Sequence, residues 1–328
     1  MTARWISEAE VAAVLDLRTA IAGIEAGLVA EASGAAENMP KTHVKWGDGN
    51  SLHAIGAAFT VSGIVGTKTW AHTAAGATPL LILFDADSGE LRAVIEAFAL
   101  GQLRTAAVSA VATRWLAVET ADELAIIGTG RQALAQVAAI AAVRPLRAVR
   151  VFSPTAAHRE AFAARVRDEL GLETRAAVSV AEAVDGAPLV TLATRARQPF
   201  LHAAMLARGA HVNAIGAITP ERAEFSDDVF ARCGIVAVDS VAAVQGLSRE
   251  FRDHYGSRGE WDAVMPLSQI VAGMARRKAA TDLTLCKAMG VGISDVAVAI
   301  ELMSRAERMG RGRPLAQPEQ VKINWRPR

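Results

Sequence analysis

The stretch that decides the fold is Asp122-Glu123-Leu124-Ala125-Ile126-Ile127-Gly128-Thr129-Gly130-Arg131-Gln132-Ala133. Residues 124–127 are an apolar run of strand length that leads straight into a glycine turn. Gly128, Gly130 and Ala133 stand at the G-x-G-x-x-A spacing of a dinucleotide fingerprint, with Thr129, Arg131 and Gln132 completing the turn. Each small residue has a physical task. Gly128 permits the tight turn, Gly130 lets a pyrophosphate approach the backbone, and Ala133 brings the following helix close to the strand. That helix then aims its free amides at the phosphates. A strand-turn-helix that needs its glycines only for packing has the same local pattern, so the surroundings must separate the two. Residues 147–152 read as a second strand, and Ser153 falls where the ribose-reading residue of such a unit belongs.

Downstream, strands are expected at 123–127, 148–152, 189–194, 210–215, 235–239 and 284–289, with helices between most of them. This alternation predicts a doubly wound, Rossmann-type parallel sheet. Upstream the pattern differs. Ser7 and Glu10 make a capping box, and helical spacing runs on through Ile21, Ile24 and Leu28 to a stop at Gly34. Residues 39–46, 52–59, 64–71, 79–85 and 91–96 then read as strands separated by turns, which predicts an antiparallel sheet. The helix at 99–116 carries small residues on many faces and is expected to pack closely. A final helix at 295–309 is expected to return to the first domain, followed by a basic, surface-draped or flexible tail. The expectation is therefore an α/β protein with two domains. Residues 1–118 with 300–328 form an α+β domain with the antiparallel sheet, and 119–299 form the dinucleotide-binding domain.

The bulk composition narrows the function classes. The chain has 328 residues, of which 52% are hydrophobic and 21% charged, as in a folded, core-rich protein. A net charge of +1 gives no general attraction to nucleic acid or anionic membrane. No secretory leader and no apolar run of ~18 residues are visible, so a cytoplasmic location is expected. Cys233 and Cys286 lie in apolar strand-like surroundings and read as small buried hydrophobes. The seven histidines have no metal-ligand spacing, and there is no G-x-S-x-G, so neither a metal site nor a serine nucleophile is expected. The chemistry then belongs to the cofactor, with the protein supplying position and charge. Lys68, inside a strand of apolar and small residues, is a candidate acid or base if buried; strand alternation alone equally allows it to face solvent. Arg104, followed by Thr105 near the start of the small-residue helix, is a candidate carboxylate anchor. Lys41 follows Pro40 on an early strand and by itself reads as a solvated side chain.

Lys68, Leu103-Arg104-Thr105-Ala106-Ala107-Val108-Ser109-Ala110, the glycine turn at 128–133 and His211-Val212-Asn213-Ala214-Ile215-Gly216-Ala217 occur in that order. With Asp227-Asp228 and Val238-Asp239-Ser240, the chain resembles the ornithine cyclodeaminase/mu-crystallin family from its first helices to about residue 306. The resemblance implies a homodimer built through the first domain and a nicotinamide cofactor on the second. It implies reactions of amino-acid metabolism that pass through an imine. By position it assigns Lys68 to the substrate nitrogen, Arg104 to the carboxylate, and Asn213 and Gly216 to the cofactor. Lys41 matches a carboxylate-binding arginine; it keeps the charge but not the planar fork.

Two departures bear on the reaction. Where the cyclodeaminases have a catalytic aspartate this chain has Ile218, and an isoleucine cannot move a proton. The Met-Pro that often precedes the lysine appears as Ile55-Gly56, without the neighbouring acid and with His53 nearby. Both changes favour an NAD(P)H-dependent reductase of small ketimine or cyclic imino carboxylates, in reverse an amino-acid dehydrogenase. The alternatives are an ornithine cyclodeaminase-type lyase forming L-proline and ammonia with NAD, and a non-enzymatic nucleotide or small-molecule binding protein. After the second strand, Phe152-Ser153-Pro154-Thr155 brings no acid to repel a 2′-phosphate, and Ser153, Thr155 and Arg159 are suited to bind one. The expected cofactor is NAD(P), with a lean toward NADP(H).

Overall fold

The computed structural model describes residues 2–323 and 325. The chain opens with β1 (Ala3–Ile6) and α1 (Glu8–Val14), then α2 (Leu17–Ala32). The single helix expected from the periodicity is broken in two, because Asp16 caps a second N-terminus by accepting a hydrogen bond from Thr19 N at 2.7 Å. Next come β2 (Ala36–Trp46), β3 (Asn50–Phe59), β4 (Ile64–Thr73), β5 (Gly76–Asp85) and β6 (Leu91–Glu96). From β2 to β6 these form an antiparallel meander, each strand paired with the next, as the turn signals predict. The β1 strand, which the sequence pattern did not reveal, adds in parallel to β6.

Helix α3 (Phe98–Leu116) has an unbroken buried stretch from Ala106 to Thr113, with side chains on every face. It is wedged between the two halves of the molecule, packing on α2 and also on α4 (Ala133–Ala141) of the second half. Only Ala, Ser, Thr and Val fit at that spacing, which explains its composition. Its first amides are taken by the Glu8 carboxylate, which accepts from Phe98 N and Ala99 N.

The second half contains β7 (Glu123–Ile127), α4, β8 (Ala148–Phe152), α5 (Ala156–Leu170), β9 (Glu173–Ala176), α6 (Val180–Val184), β10 (Leu189–Leu192) and β11 (His211–Ala214). It continues through β12 (Cys233–Val238), α7 (Val241–Leu247), α8 (Arg249–Phe251), β13 (Val264–Pro266), α9 (Leu267–Val271) and β14 (Leu283–Lys287). These eight strands make one all-parallel sheet in the order β13-β12-β14-β11-β10-β7-β8-β9. The order reverses between β7 and β10, and such a switch point opens a crevice at the carboxyl ends of the strands. All six expected strands are present; β9 and β13, short and edge-lying, had no clear signal. Cys286 is buried in β14 and Cys233 half-buried at the start of β12, where burial pushes its thiol up to about 12.

Helix α10 (Gly292–Arg308) leaves the parallel sheet and packs on α2, α3, β3 and β4 of the first half. Its first residue lies on the backbone of β3: a Cβ at Gly292 would sit 1.9 Å from the Gly56 carbonyl oxygen. Of the two courses expected for the tail, surface-draped or flexible, the draped one is seen at residues 311–317. β15 (Arg313–Leu315) pairs antiparallel with β1, Arg4 donates to the Arg311 and Gly312 carbonyls, and Gln317 exchanges hydrogen bonds with the Leu91 backbone. Among the described residues no helix is long and apolar enough to cross a membrane.

Candidate active site

The crevice at the switch point is a cleft of about 680 Å³ lined by Gly128, Thr129, Gly130, Arg131 and Gln132 on one side and Thr194, Gly216 and Ile218 on the other. Gly128 is irreplaceable twice over. Its φ is +111°, and a Cβ there would meet the Ala193 carbonyl oxygen at 2.5 Å. At Gly130 a Cβ would meet nothing within 4 Å, so the space above it is open for a ligand. Gln132 opens α4, and its buried Oε1 has no partner among the described residues. A glycine cradle with open space above it and amides at a helix start fit a dinucleotide pyrophosphate, while Gln132 Oε1 can take only a donor such as a hydroxyl.

The far wall is held by a residue that sequence reasoning missed. The Glu224 carboxylate, fully buried, accepts hydrogen bonds from Thr194 N and Oγ1 at 2.7 and 2.8 Å and from Gly216 N and Ala217 N at 2.9 and 3.0 Å. It ties the loops after β10 and β11 together. Gly216 is the residue that permits this, since a Cβ would lie 2.2 Å from the Thr194 carbonyl oxygen. Behind it, Glu250 accepts from Glu224 N at 3.0 Å and pairs with buried Lys287 at 3.5 Å.

At the end of β8, Phe152 and Pro154 line the cleft while Ser153 is buried. Thr155 precedes α5, and Arg159 folds back so that Nη1 donates to the Ser153 carbonyl at 3.1 Å. Asn213 is not brought to the cleft. Its side chain is 2% exposed, donates to Thr113 Oγ1 at 2.8 Å and faces His211, tying β11 to α3. Asp227 and Asp228 also lie outside it, engaged with His254 and with Ser226 and Ala203 N.

The charged candidates of the first half converge elsewhere, among residues that do not line the cleft. Lys68 is 5% exposed, which settles the ambiguity of strand alternation. Its Nζ donates to Asp295 Oδ1 at 2.5 Å. Arg104 Nε lies 3.2 Å from the same oxygen. Arg104 is the seventh residue of α3, and the amides of that helix start are capped by Glu8, so the helix end does not assist it. Thr105 is back-bonded to the Gly101 carbonyl at 2.8 Å. Lys41 sits with Pro40 in a bulge of β2 between Met39 and Thr42. The bulge lets Lys41 line a second cavity of about 340 Å³ with Ile55, Met289 and Gly290. Burial and the Arg104 charge hold the Lys41 ammonium below its ordinary range. Burial, opposed by Asp295, brings Lys68 down to about 8.

Two carboxylates organise this cluster, and neither was singled out for a role from sequence. Asp239 accepts from Met289 N and Gly290 N and fixes the turn against which Arg104 lies. Asp295 is fully buried, three residues after the Gly292 contact with β3. Its one sequence signal is a lone acid in the apolar run Gly292-Ile293-Ser294-Asp295-Val296-Ala297. Among the described residues no group of three or more His, Cys, Asp or Glu side chains is arranged to hold a metal ion.

The family model described as the ornithine cyclodeaminase/mu-crystallin family matches residues 3–309. The chain belongs to this family. A Delta(1)-pyrroline-2-carboxylate reductase of Bacillus cereus is 30% identical over 236 residues, 71% of this chain and 72% of that one. The ketimine reductase mu-crystallin of Rattus norvegicus is 32% identical over 219 residues, 67% of this chain and 66% of that one. Among solved structures, the iminosuccinate reductase of Paracoccus denitrificans in complex with NAD+ superposes with a TM-score of 0.89 at 25% identity, covering 98% of this chain and all of that one. The Thermococcus litoralis Delta(1)-pyrroline-2-carboxylate reductase, in complex with NADH and L-proline, has the same fold, with a TM-score of 0.89 at 23% identity over 95% of this chain.

Proposed function

We propose that this protein is an NAD(P)H-dependent reductase of small 2-imino carboxylates, cyclic ketimines among them, and in reverse an amino-acid dehydrogenase. The observation that carries the reading is the meeting of Lys68 and Arg104 on one carboxylate oxygen of Asp295. Two cations side by side match a nitrogen and a carboxylate borne on the same α-carbon. The related reductases named above support the same reaction class.

Gly128, Thr129, Gly130, Arg131 and Gln132 would hold the dinucleotide, with Gly216 in the opposite wall. A reduced nicotinamide supplies the hydride for the imine carbon. The chain's own residues do the rest. The Nη edge of Arg104, turned toward Gly290, anchors the substrate carboxylate, with Lys41 adding charge from β2. Lys68 Nζ gives a proton to the nitrogen, so that C=N becomes HC–NH and the lysine is left neutral. Lys68 carries that proton below about pH 8 and loses it above, so reduction falls as pH rises through that value and the reverse oxidation gains. Ile218 in the cleft wall speaks against the cyclodeaminase alternative, because it leaves that wall without a proton-transferring group.

For the cofactor we favour NADPH. No acid stands directly after β8, and Arg159, folded back onto the Ser153 carbonyl, brings positive charge there. We further propose that the protein is a homodimer through the antiparallel sheet, in the cytoplasm. The test is the near-UV absorbance of NADPH and NADH with five- and six-membered cyclic imino carboxylates. Loss of absorbance supports the reading, and the faster cofactor decides the ribose assignment. Absence of turnover on both ring sizes, with ammonia released from ornithine, would overturn it in favour of the lyase.

A further inference from the structure

We propose that Asp295 is a positioning residue that holds Lys68 and Arg104 in register and keeps the Lys68 ammonium charged inside the buried site. The inference deepens the reductase reading but is testable without turnover. Its basis is geometric. Asp295 is fully buried, one of its oxygens meets both cations, and the other, Oδ2, has no hydrogen-bond partner among the described residues. A buried carboxylate with a free oxygen is costly unless its charge is needed by its neighbours. Two cations without it would repel each other and swing apart.

The delivery of Asp295 is equally specific. It rides on α10, which comes from the parallel sheet and is seated on β3 at the Gly292 and Gly56 contact. The carboxylate therefore reaches Lys68 only when this helix is docked on the first half. Among the described residues no other acid does so. The register partners of Lys68 are Ile55 on β3 and Leu81 on β5, neither of which titrates. The charged groups facing it are Asp295 from α10, Arg104 from α3 and Lys41 from β2. On its own strand the Trp70 ring lies 5.2 Å from Nζ. Burial, Arg104 and Lys41 all push the ammonium toward its neutral form, and among the charged groups facing it only Asp295 opposes them.

The deciding measurement is the titration of the lysine ammonium groups by heteronuclear NMR of protein labelled at lysine Cε and Nζ. The chain has six lysines, and Lys68→Met assigns the signal. The wild type is expected to titrate near pH 8, and Asp295→Asn to shift the Lys68 midpoint down by about one pH unit or more, with Asp295→Glu restoring part of it. A midpoint in Asp295→Asn within about 0.3 of the wild type overturns the inference. If the variants do not fold, aspartate labelled at Cγ in the wild type serves instead. The Asp295 signal must then step at the Lys68 midpoint, and a signal without that step overturns the pairing.

The kinetic arm adds the alkaline limb of imine reduction. It moves down with the Lys68 midpoint in Asp295→Asn, kcat falls more than KM rises, and cofactor affinity stays unchanged. A limb that stays in place while imine is reduced sinks the inference alone. A wild type that reduces no imine, yet shows the NMR shift, sinks the reductase reading alone.

Discussion

Removing the Arg104 guanidinium tests the site most directly. Arg104 faces Asp295 through Nε at 3.2 Å, and its Nη atoms point toward Gly290, where a Cβ would come within 3.0 Å of Nη1. In the proposed complex the two Nη groups give two parallel charge-assisted hydrogen bonds to the substrate carboxylate. Such bonds are worth about 1.5–3 kcal/mol each, so Arg104→Met loses about 3–6 kcal/mol of transition-state binding, or about 10²–10⁴-fold in kcat/KM. Arg104→Lys falls between, since it keeps the charge but not the fork. A second consequence has a definite sign. Arg104 pushes the Lys68 ammonium toward its neutral form, so without it Lys68 holds its proton to a higher pH than about 8 and the alkaline limb of reduction moves up. Cofactor affinity is unchanged, because Arg104 does not line the cleft. The assay is steady-state NADPH oxidation across pH 6–10 at saturating cofactor, with cofactor affinity read separately by fluorescence. A variant within about tenfold of the wild type in kcat/KM, or an alkaline limb that moves down, refutes the carboxylate-anchor assignment.

The two fingerprint glycines should separate folding from binding. Gly128→Ala is expected to cost about 1–3 kcal/mol or more of stability, because φ is +111° and the methyl meets the Ala193 carbonyl, whereas Gly130→Ala leaves stability nearly unchanged and weakens the cofactor alone; urea melts and cofactor titrations read both, and equal destabilisation by the two would contradict the cradle. Arg159→Ala is expected to lower kcat/KM for NADPH by about 10–100-fold with little change for NADH, and an equal loss for both would remove Arg159 from 2′-phosphate recognition. His211, sealed between Thr284 and Asn213, has its pKa brought down to about 3 by burial, so the unfolded chain takes up a proton below about pH 6.5 that the folded one refuses. Stability conferred by neutral His211 is therefore present above pH 6.5 and lost as pH falls; about 2 kcal/mol should go between pH 6.5 and 5, and His211→Gln should lack that part of the slope in urea denaturation.

The strand-turn-helix at Glu123–Ile127 and Ala133–Ala141 was legible because its constraints are local: an apolar run, a glycine at positive φ and a small residue where helix meets strand. The antiparallel meander was legible for the same reason, its turns being written in Gly, Asn, Asp and Ser. Short edge strands were not, since β1 and β15 are held by each other and by β6 across some three hundred residues. The site divides the same way. Lys68, Arg104 and Lys41 were recognisable as charges in an order shared with a family, but whether Lys68 faces solvent or core is undetermined by alternation when neither face is clearly polar. Only the docking of Gly292–Arg308 onto β3 decides it, by burying the lysine and bringing Asp295 to it from 227 positions away. Glu224 and Asp239 escaped for the same reason: their partners are backbone amides of distant loops, and a backbone amide has no letter in the sequence. The sequence by itself determined which segments form strands and helices and which charges are present. The tertiary structure decided which of those charges meet, because pairing in a buried site depends on distances between segments that no local preference encodes.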